Sequence, residues 1–458
     1  MKEFDAIVIG SGGGLNLASA ALEQGYKVAV IEKGKMGGTC LNRGCIPSKM
    51  LIHPANLVSL IKTSNRFAID SRINSIDFSS VVKRINAATD KDSNQIKRWY
   101  QQKHPRLTFY GGHAAFVSDK VIEVNNQRIT GKKIYIAAGA SPFTPPIPGL
   151  DRTPYWTSAE ALRARRKPNR LLVIGGGYIA CELGYAFSAL GSEVRWFVRD
   201  SRLLSREDQT VSKVFTEVFS MREKAHFQVN VAKVEYKTDL FILHLDFSNG
   251  KKQIITGDAL LVATGISPNT AELRLEQTGI KTDKQGFIKT NRFLETTVKE
   301  VYALGDVAGN YFFRHAVNFE ADFLIRAHFI ERRKRLINYP PMPHAVFTNP
   351  EIGSVGATEQ ELIKKKIPYA IGFNLYEQSA MGQARQSKQE FVKLLFHKKT
   401  RKLLGAHILG EEAATMIHQL IYALTFGATV DDLVRMIYIH PALPEVVRNA
   451  AFNALDKF

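Results

Sequence analysis

The first apolar run, Asp5-Ala6-Ile7-Val8-Ile9-Gly10, is too continuous for an amphipathic helix and ends in a glycine cluster. A short run of this kind, bounded by a turn signal, predicts a buried strand. A helical stretch follows to Gln24, and then a second strand-like run, Lys27-Val28-Ala29-Val30-Ile31-Glu32. The order recurs from Arg170-Leu171-Leu172-Val173-Ile174-Gly175, through another glycine cluster and a helix to Leu190, into Val194 to Val198. Strand, glycine turn, helix and strand form the βαβ unit of a parallel sheet, so two Rossmann-like α/β domains are predicted. Gly111 to Val124 alternates apolar and polar residues, which predicts a small antiparallel region within the first domain. Ser141 to Pro148 holds four prolines and suits an interdomain link. After Pro340, Pro341, Pro343 and Pro350, the strand-like Phe391-Val392-Lys393-Leu394-Leu395-Phe396 and apolar helical stretches predict a third, α+β domain. The expected division is 1–148, 149–269, 270–339 and 340–458, with the third segment returning to the first domain.

Composition narrows the class. The 458 residues are 45% hydrophobic and 23% charged, which excludes a disordered or fibrous chain. Lys+Arg 62 against Asp+Glu 43 gives a net charge of +19, a field that suits anionic nucleotides. The lysines are scattered without interleaved aromatics, so no nucleic-acid surface is expected. Three cysteines make no secreted disulfide framework. The start Met1-Lys2-Glu3-Phe4-Asp5 lacks the basic, apolar and small-residue order of a secretory signal. Ala6 to Leu22 is uncharged but broken by Gly10, Gly12, Gly13, Gly14 and Asn16, and is too short to span a membrane. A cytoplasmic protein without membrane attachment is the expectation.

Gly10-Ser11-Gly12-Gly13-Gly14 follows a strand and opens a helix, the context in which backbone N–H groups can bind a pyrophosphate. Glu32 ends the next strand, where a carboxylate can accept ribose hydroxyls. Leu15 stands where a third glycine is usual, and Gly14 is expected to serve in its place. The most specific segment is Gly37-Gly38-Thr39-Cys40-Leu41-Asn42-Arg43-Gly44-Cys45-Ile46-Pro47-Ser48-Lys49. Its two cysteines can close a small disulfide ring, or else are buried structural thiols. No second Cys or His pair follows at zinc-ligand spacing, and no metal site is expected. Pro47 suits the first turn of a helix, which would place Cys45 near its positive end and favour a thiolate.

These segments, with Ala137-Ala138-Gly139, Ala263-Thr264-Gly265, Val301-Tyr302-Ala303-Leu304-Gly305-Asp306 and Phe347-Thr348-Asn349-Pro350-Glu351, resemble the flavin-dependent pyridine nucleotide–disulfide oxidoreductases. That family includes dihydrolipoamide dehydrogenase, glutathione reductase and mycothione reductase. The resemblance covers nearly the whole chain. It implies a redox-active Cys40–Cys45 pair, with Cys40 attacking the substrate and Cys45 lying against the flavin. It also implies FAD, one per subunit, held by Gly10, Gly12, Gly14, Glu32, Lys33, Gly38, Thr39, Ala138, Gly139 and Asp306. Lys49 and Glu182 match a family ion pair near the flavin ring. The last segment becomes a dimerisation domain.

The second turn, Gly175-Gly176-Gly177-Tyr178-Ile179-Ala180, is the better-formed fingerprint. By the resemblance Gly175, Gly177, Ile179 and Gly265 hold the nicotinamide nucleotide and Tyr178 covers its pocket. Val198 stands where NAD-using members carry an acid, and Arg199, Arg202 and Arg206 follow. Guanidinium groups pair with a 2′-phosphate, so NADPH is favoured, with NADH the alternative. His440-Pro441-Ala442-Leu443-Pro444-Glu445 resembles the family's acid–base motif, with Ala442 in place of the usual threonine. His440 would move the proton and Glu445 orient its ring, across the interface of a homodimer with shared active sites. His344 and His397 are expected to be structural or surface residues, and Cys181 a packed thiol. The resulting expectation is electron flow from NADPH through flavin and disulfide to a small disulfide substrate. The alternative is an NAD-dependent dihydrolipoamide dehydrogenase running the same chemistry to oxidise a dithiol. No further cysteine pair stands near the C-terminus, which argues against mercuric reductase.

Overall fold

The computed structural model describes residues 1–458, which divide into two compact units. The first unit comprises Met1–Met50, Ser80–Phe143 and Gly265–Asn338, and the second comprises Leu51–Ser79, Thr144–Thr264 and Tyr339–Phe458. No helix is long and apolar enough to cross a membrane.

In the first unit the apolar runs become β1 (Lys2–Ile9) and β2 (Val28–Glu32), joined by α1 (Gly14–Glu23). There follow α2 (Gly38–Arg43), α3 (Cys45–Lys62), whose residues from Leu51 belong to the second unit, and α4 (Phe78–Gln101), which is in the first from Ser80. Next come β3 (Leu107–Gly111), β4 (Ala115–Ser118), β5 (Val121–Val124) and β6 (Gln127–Ile136). The sheet order is β3-β2-β1-β6-β5-β4, parallel as far as β6 and antiparallel beyond it. The late strand Val301–Ala303 pairs in parallel with β6, and thereby returns the chain to this sheet. Its core is the inward face of these strands, including Ile7, Ile31, Ile134 and Val301, all buried. The parallel strands read as unbroken apolar runs because both faces are covered.

The second unit holds a four-stranded parallel sheet in the order Lys224–Phe227, Glu193–Val198, Arg170–Ile174, Ala259–Val262. A three-stranded antiparallel sheet, Val229–Lys237, Leu240–Phe247 and Lys252–Gly257, shares a core with it through Leu172, Val231, Leu243 and Leu260. The C-terminal segment forms a five-stranded antiparallel sheet against the helices Ala413–Thr425 and Glu445–Phe452. Lys393 on its strand Phe391–His397 is buried. Its Nζ lies 2.7 Å from Asp208 Oδ1 and 2.9 Å from Thr210 Oγ1, and it also pairs with Glu359. A buried charge persists only when it is compensated in this way, so the triad ties the C-terminal sheet to the loop after the Rossmann strand Glu193–Val198.

Candidate active site

The site in the first unit is organised by close backbone approach. Gly10 has φ +100°, and a Cβ there would stand 2.3 Å from the Ala137 carbonyl oxygen. A Cβ on Gly14 would meet Val8 Cγ1 at 2.7 Å. Gly14 therefore performs the helix-to-strand packing, and the half-buried Leu15 needs no substitute. Glu32 closes the turn: one carboxylate oxygen accepts from the Ser11 N–H (2.9 Å) and hydroxyl (2.6 Å), the other from the Gly34 N–H (2.7 Å). The Ser11 hydroxyl oxygen accepts in turn from Gly37 N–H at 3.0 Å, linking the turn to the entrance of α2. Ser11 was not evident from the sequence, because its role depends on groups more than 20 positions away. Glu32 and Gly34 also line a cleft of about 1010 Å³ with Tyr100, Gln101, His104 and Phe109. Lys33 is exposed and paired with Glu272.

The cysteine helix rests on the same turn. Gly38 has φ +67°, and a Cβ there would come within 2.8 Å of the Gly12 Cα. The buried Asn42 amide donates to the Met36 and Gly38 carbonyls, each at 2.9 Å, and fixes the start of α2. Thr39 is exposed, Cys40 is half-buried, and Cys45 opens α3 as an exposed residue. Both cysteines are thiols in this structure. A hydrogen bond from Cys45 holds the Cys40 thiol down at about 7, against burial and with help from the Arg314 charge. The same hydrogen bond pushes Cys45 up, while Lys49 pulls it down. The sequence placed Cys45 at the positive end of its helix, and it is there. The two thiols share a proton, so the ionisation of one sets that of the other.

Ala138 and Gly139 follow β6, where the Asn269 amide donates to the Ala138 carbonyl at 2.8 Å. Gly139 has φ +68° and open space where a Cβ would project. Asp306 is half-buried; burial, with the negative charge of Glu320, pushes its carboxyl up to about 6. Glu320 braces the preceding residue by accepting the Gly305 N–H at 2.6 Å.

In the second unit the device recurs. Gly175 has φ +130°, and its absent Cβ would lie 2.3 Å from the Ala263 carbonyl oxygen. Gly177 and Gly265 are open, and Ile179 is exposed. Tyr178 donates its hydroxyl to the buried Glu207 carboxylate, which also receives His344 Nε2 at 2.9 Å and the Ser354 hydroxyl at 3.1 Å. Burial opposes the charge on Glu207, yet these donors hold it below the usual carboxylate range. Arg199 and Arg206 are exposed and Arg202 is half-buried; Asp200 accepts the Ser205 hydroxyl at 2.8 Å rather than pairing with them. Glu182 is buried on the helix Tyr178–Ala189, with one oxygen accepting Phe347 N–H at 3.0 Å. His397 Nδ1 accepts turn N–H groups from Lys399 and Thr400, and Cys181 is fully buried. Near the C-terminus, exposed His440 carries Glu445 against Nδ1 at 2.9 Å. Glu445 also accepts the Ala442 backbone N–H at 3.0 Å, a contact that asks nothing of the side chain at 442.

Comparison with known proteins decides the family. Residues 4–322 match the pyridine nucleotide-disulphide oxidoreductase model, and residues 342–451 match the dimerisation domain of that family. The chain belongs to the pyridine nucleotide-disulphide oxidoreductases. It is 35% identical to a mercuric reductase of Staphylococcus aureus, over 98% of this chain and 82% of that protein. It is 32% identical to the mycothione reductase of Mycobacterium tuberculosis, over 98% of this chain and 99% of that one. Among solved structures, the HOCl-induced flavoprotein disulfide reductase RclA from Escherichia coli superposes with a TM-score of 0.86 at 26% identity, covering 99% of both chains.

The oxidoreductases of this family work with FAD and a pyridine nucleotide, and the residues here fit a flavin dinucleotide. Glycine leaves the backbone of the first turn bare, Gly139 is open, and Glu32 stands at the adjoining cleft. One prediction follows from the shared proton. In the fully reduced chain stripped of flavin, alkylation of Cys40 by iodoacetamide rises through a midpoint at a pH of about 7. Cys45→Ala removes the donor and moves that midpoint toward the ordinary thiol range. A midpoint unchanged by the substitution contradicts the hydrogen bond as its cause.

Proposed function

We propose that this oxidoreductase takes electrons from NADPH and delivers them through Cys40 and Cys45 to a small disulfide. The observation that carries the chemistry is the cysteine pair seated on the first glycine turn, with Cys40 inside α2 and Cys45 at the first position of α3, and the Cys40 thiol drawn down by its neighbour. Cys40, its proton passed to His440, attacks one sulfur of the substrate. A mixed disulfide forms, the substrate S–S bond breaks, and the first product thiolate takes the proton back from His440. Cys45 then attacks the Cys40 sulfur, which closes the Cys40–Cys45 disulfide. The second product thiolate leaves with the Cys45 proton. The pair has lost two electrons and two protons, and the substrate has gained them. FAD, when bound, supplies the two-electron step by which the pyridine nucleotide returns the disulfide to the dithiol. Lys49, on the helix that Cys45 opens, serves beside it as a positioning residue.

The Glu445 carboxylate on Nδ1 leaves the opposite nitrogen of His440 as the one that handles the proton. That ring is exposed, and beside it Ile437 and Ile439 are 97% and 81% exposed. An apolar surface of this kind is suited to a partner, and we assign it to a second copy whose Cys40 the histidine serves. Shared active sites in a homodimer follow. A cytoplasmic location suits a working dithiol that must stay exchangeable.

The preference for NADPH rests on Arg199, Arg202 and Arg206, which have no acid partner, beside a strand that ends in Val198. Under anaerobic titration, NADPH reduces the flavin of the parent efficiently and NADH does so poorly. Arg199→Glu lowers the NADPH preference by ~10–100-fold, the value of one or two charge-assisted hydrogen bonds. Efficient reduction of the parent by NADH overturns the NADPH assignment and makes the dithiol-oxidising direction the reading to adopt. His440→Gln slows disulfide turnover by ~10²–10⁴-fold while leaving flavin reduction by NADPH intact. Unimpaired turnover in that variant removes His440 from the mechanism.

A further inference from the structure

The helix Arg314–Ile325 opens with a cation, and nothing in its own sequence favours one there. The N-terminus of a helix carries partial positive charge, which disfavours lysine and arginine at that end. The first turn contains no acidic residue. The guanidinium is half-buried and forms no ion pair or hydrogen bond within the protein, although a half-buried charge ordinarily has a partner.

Its position is set by packing. Val317, three residues along and so on the same helix face, fills the space beside the first glycine turn. A Cβ on Gly13 would come within 2.4 Å of Val317 Cγ2, and one on Gly305 within 2.9 Å of the same atom. Arg314 lies one turn earlier, with Nη1 3.9 Å from the point that a Cβ on Gly12 would occupy. Gly12 is also the residue against which Gly38 packs. A fixed positive charge thus stands over the middle glycine of the turn, where no side chain intervenes between it and a ligand on the backbone.

We infer that Arg314 is an additional anion-binding residue of the first nucleotide site, with its guanidinium directed at the diphosphate of the flavin dinucleotide. This rests on the assignment of that turn to FAD. A guanidinium presents paired, coplanar donors that match phosphate oxygens, and bare glycine backbone lets the diphosphate come close enough to use them. The anion would also offset the unfavourable placement of a cation at a helix N-terminus. The same charge helps hold the Cys40 thiol down, so one arginine serves both anionic centres of the site.

The test is flavin affinity rather than turnover. With FAD removed and restored, Arg314→Gln binds FAD ~10–100-fold more weakly than the parent, as expected for a lost charge-assisted contact. Arg314→Lys keeps the charge without the fork and falls between the two. The gap between parent and Arg314→Gln narrows as salt rises, because the interaction is electrostatic. A purely packing role would give a salt-independent gap, and that result overturns the inference. So does an Arg314→Gln protein whose FAD affinity lies within about twofold of the parent. A second measurement needs no variant. In the flavin-free parent, phenylglyoxal modifies Arg314, and FAD or ADP slows that modification; equal labelling with and without either nucleotide overturns the inference. A parent that takes up no FAD overturns the flavin reading itself, and this inference with it. A parent that binds FAD alongside an unimpaired Arg314→Gln overturns the arginine's role alone.

Discussion

The contact on which this site depends is the approach of bare backbone at the first glycine turn. Gly10 lies against the Ala137 carbonyl, and Gly38 lies against Gly12, at separations where one added carbon would force the chains apart. The first contact locks β1 to the end of β6, and the second seats α2 on the turn. Because α2 carries Cys40, and α3 begins with Cys45 two residues after α2 ends, the thiols take their position from this junction. The helix that follows Asp306 is pressed onto the turn as well, through Val317 against Gly13. Sheet, cysteine pair and returning segment thus meet where side chains are absent. A Cβ on Gly10 would part the sheet junction, one on Gly38 would lift α2, and one on Gly13 would push back the returning helix.

The fold and much of the site were legible in the sequence where the determining features are local. Two apolar strands around a glycine cluster identify each Rossmann unit, and the Cys40 to Cys45 spacing identifies the redox segment. Two apparent departures also have local answers. Gly14 replaces the glycine missing at Leu15, and the Ala442 backbone supplies a donor to Glu445 without a threonine. The residues that could not be read are those whose partners are remote in sequence. Ser11 bridges Glu32 and Gly37, Glu207 gathers Tyr178, His344 and Ser354, and Glu320 braces Gly305. Glu207 and Asp208, in the charged run Arg206-Glu207-Asp208, are both buried.

Electrostatics gives the two nucleotide sites different characters. At the second turn Arg199, Arg202 and Arg206 lack acid partners, while the Tyr178 hydroxyl is anchored to a buried carboxylate with three donors. At the first turn, Glu32 is consumed largely in closing the loop, and Arg314 provides the positive charge. His440, held by Glu445, lies exposed beside the apolar Ile437 and Ile439. The overall excess of positive charge, +19, is consistent with a protein whose cofactors and reaction intermediates are anionic.

The central claim is that Cys40 and Cys45 store electrons alongside the flavin. An anaerobic reductive titration with dithionite counts them directly. The account predicts that the FAD-loaded parent consumes twice the reducing equivalents that its flavin alone requires, and that Cys45→Ala consumes only the flavin's share. A parent whose uptake ends with the flavin, and matches the variant, would contradict it.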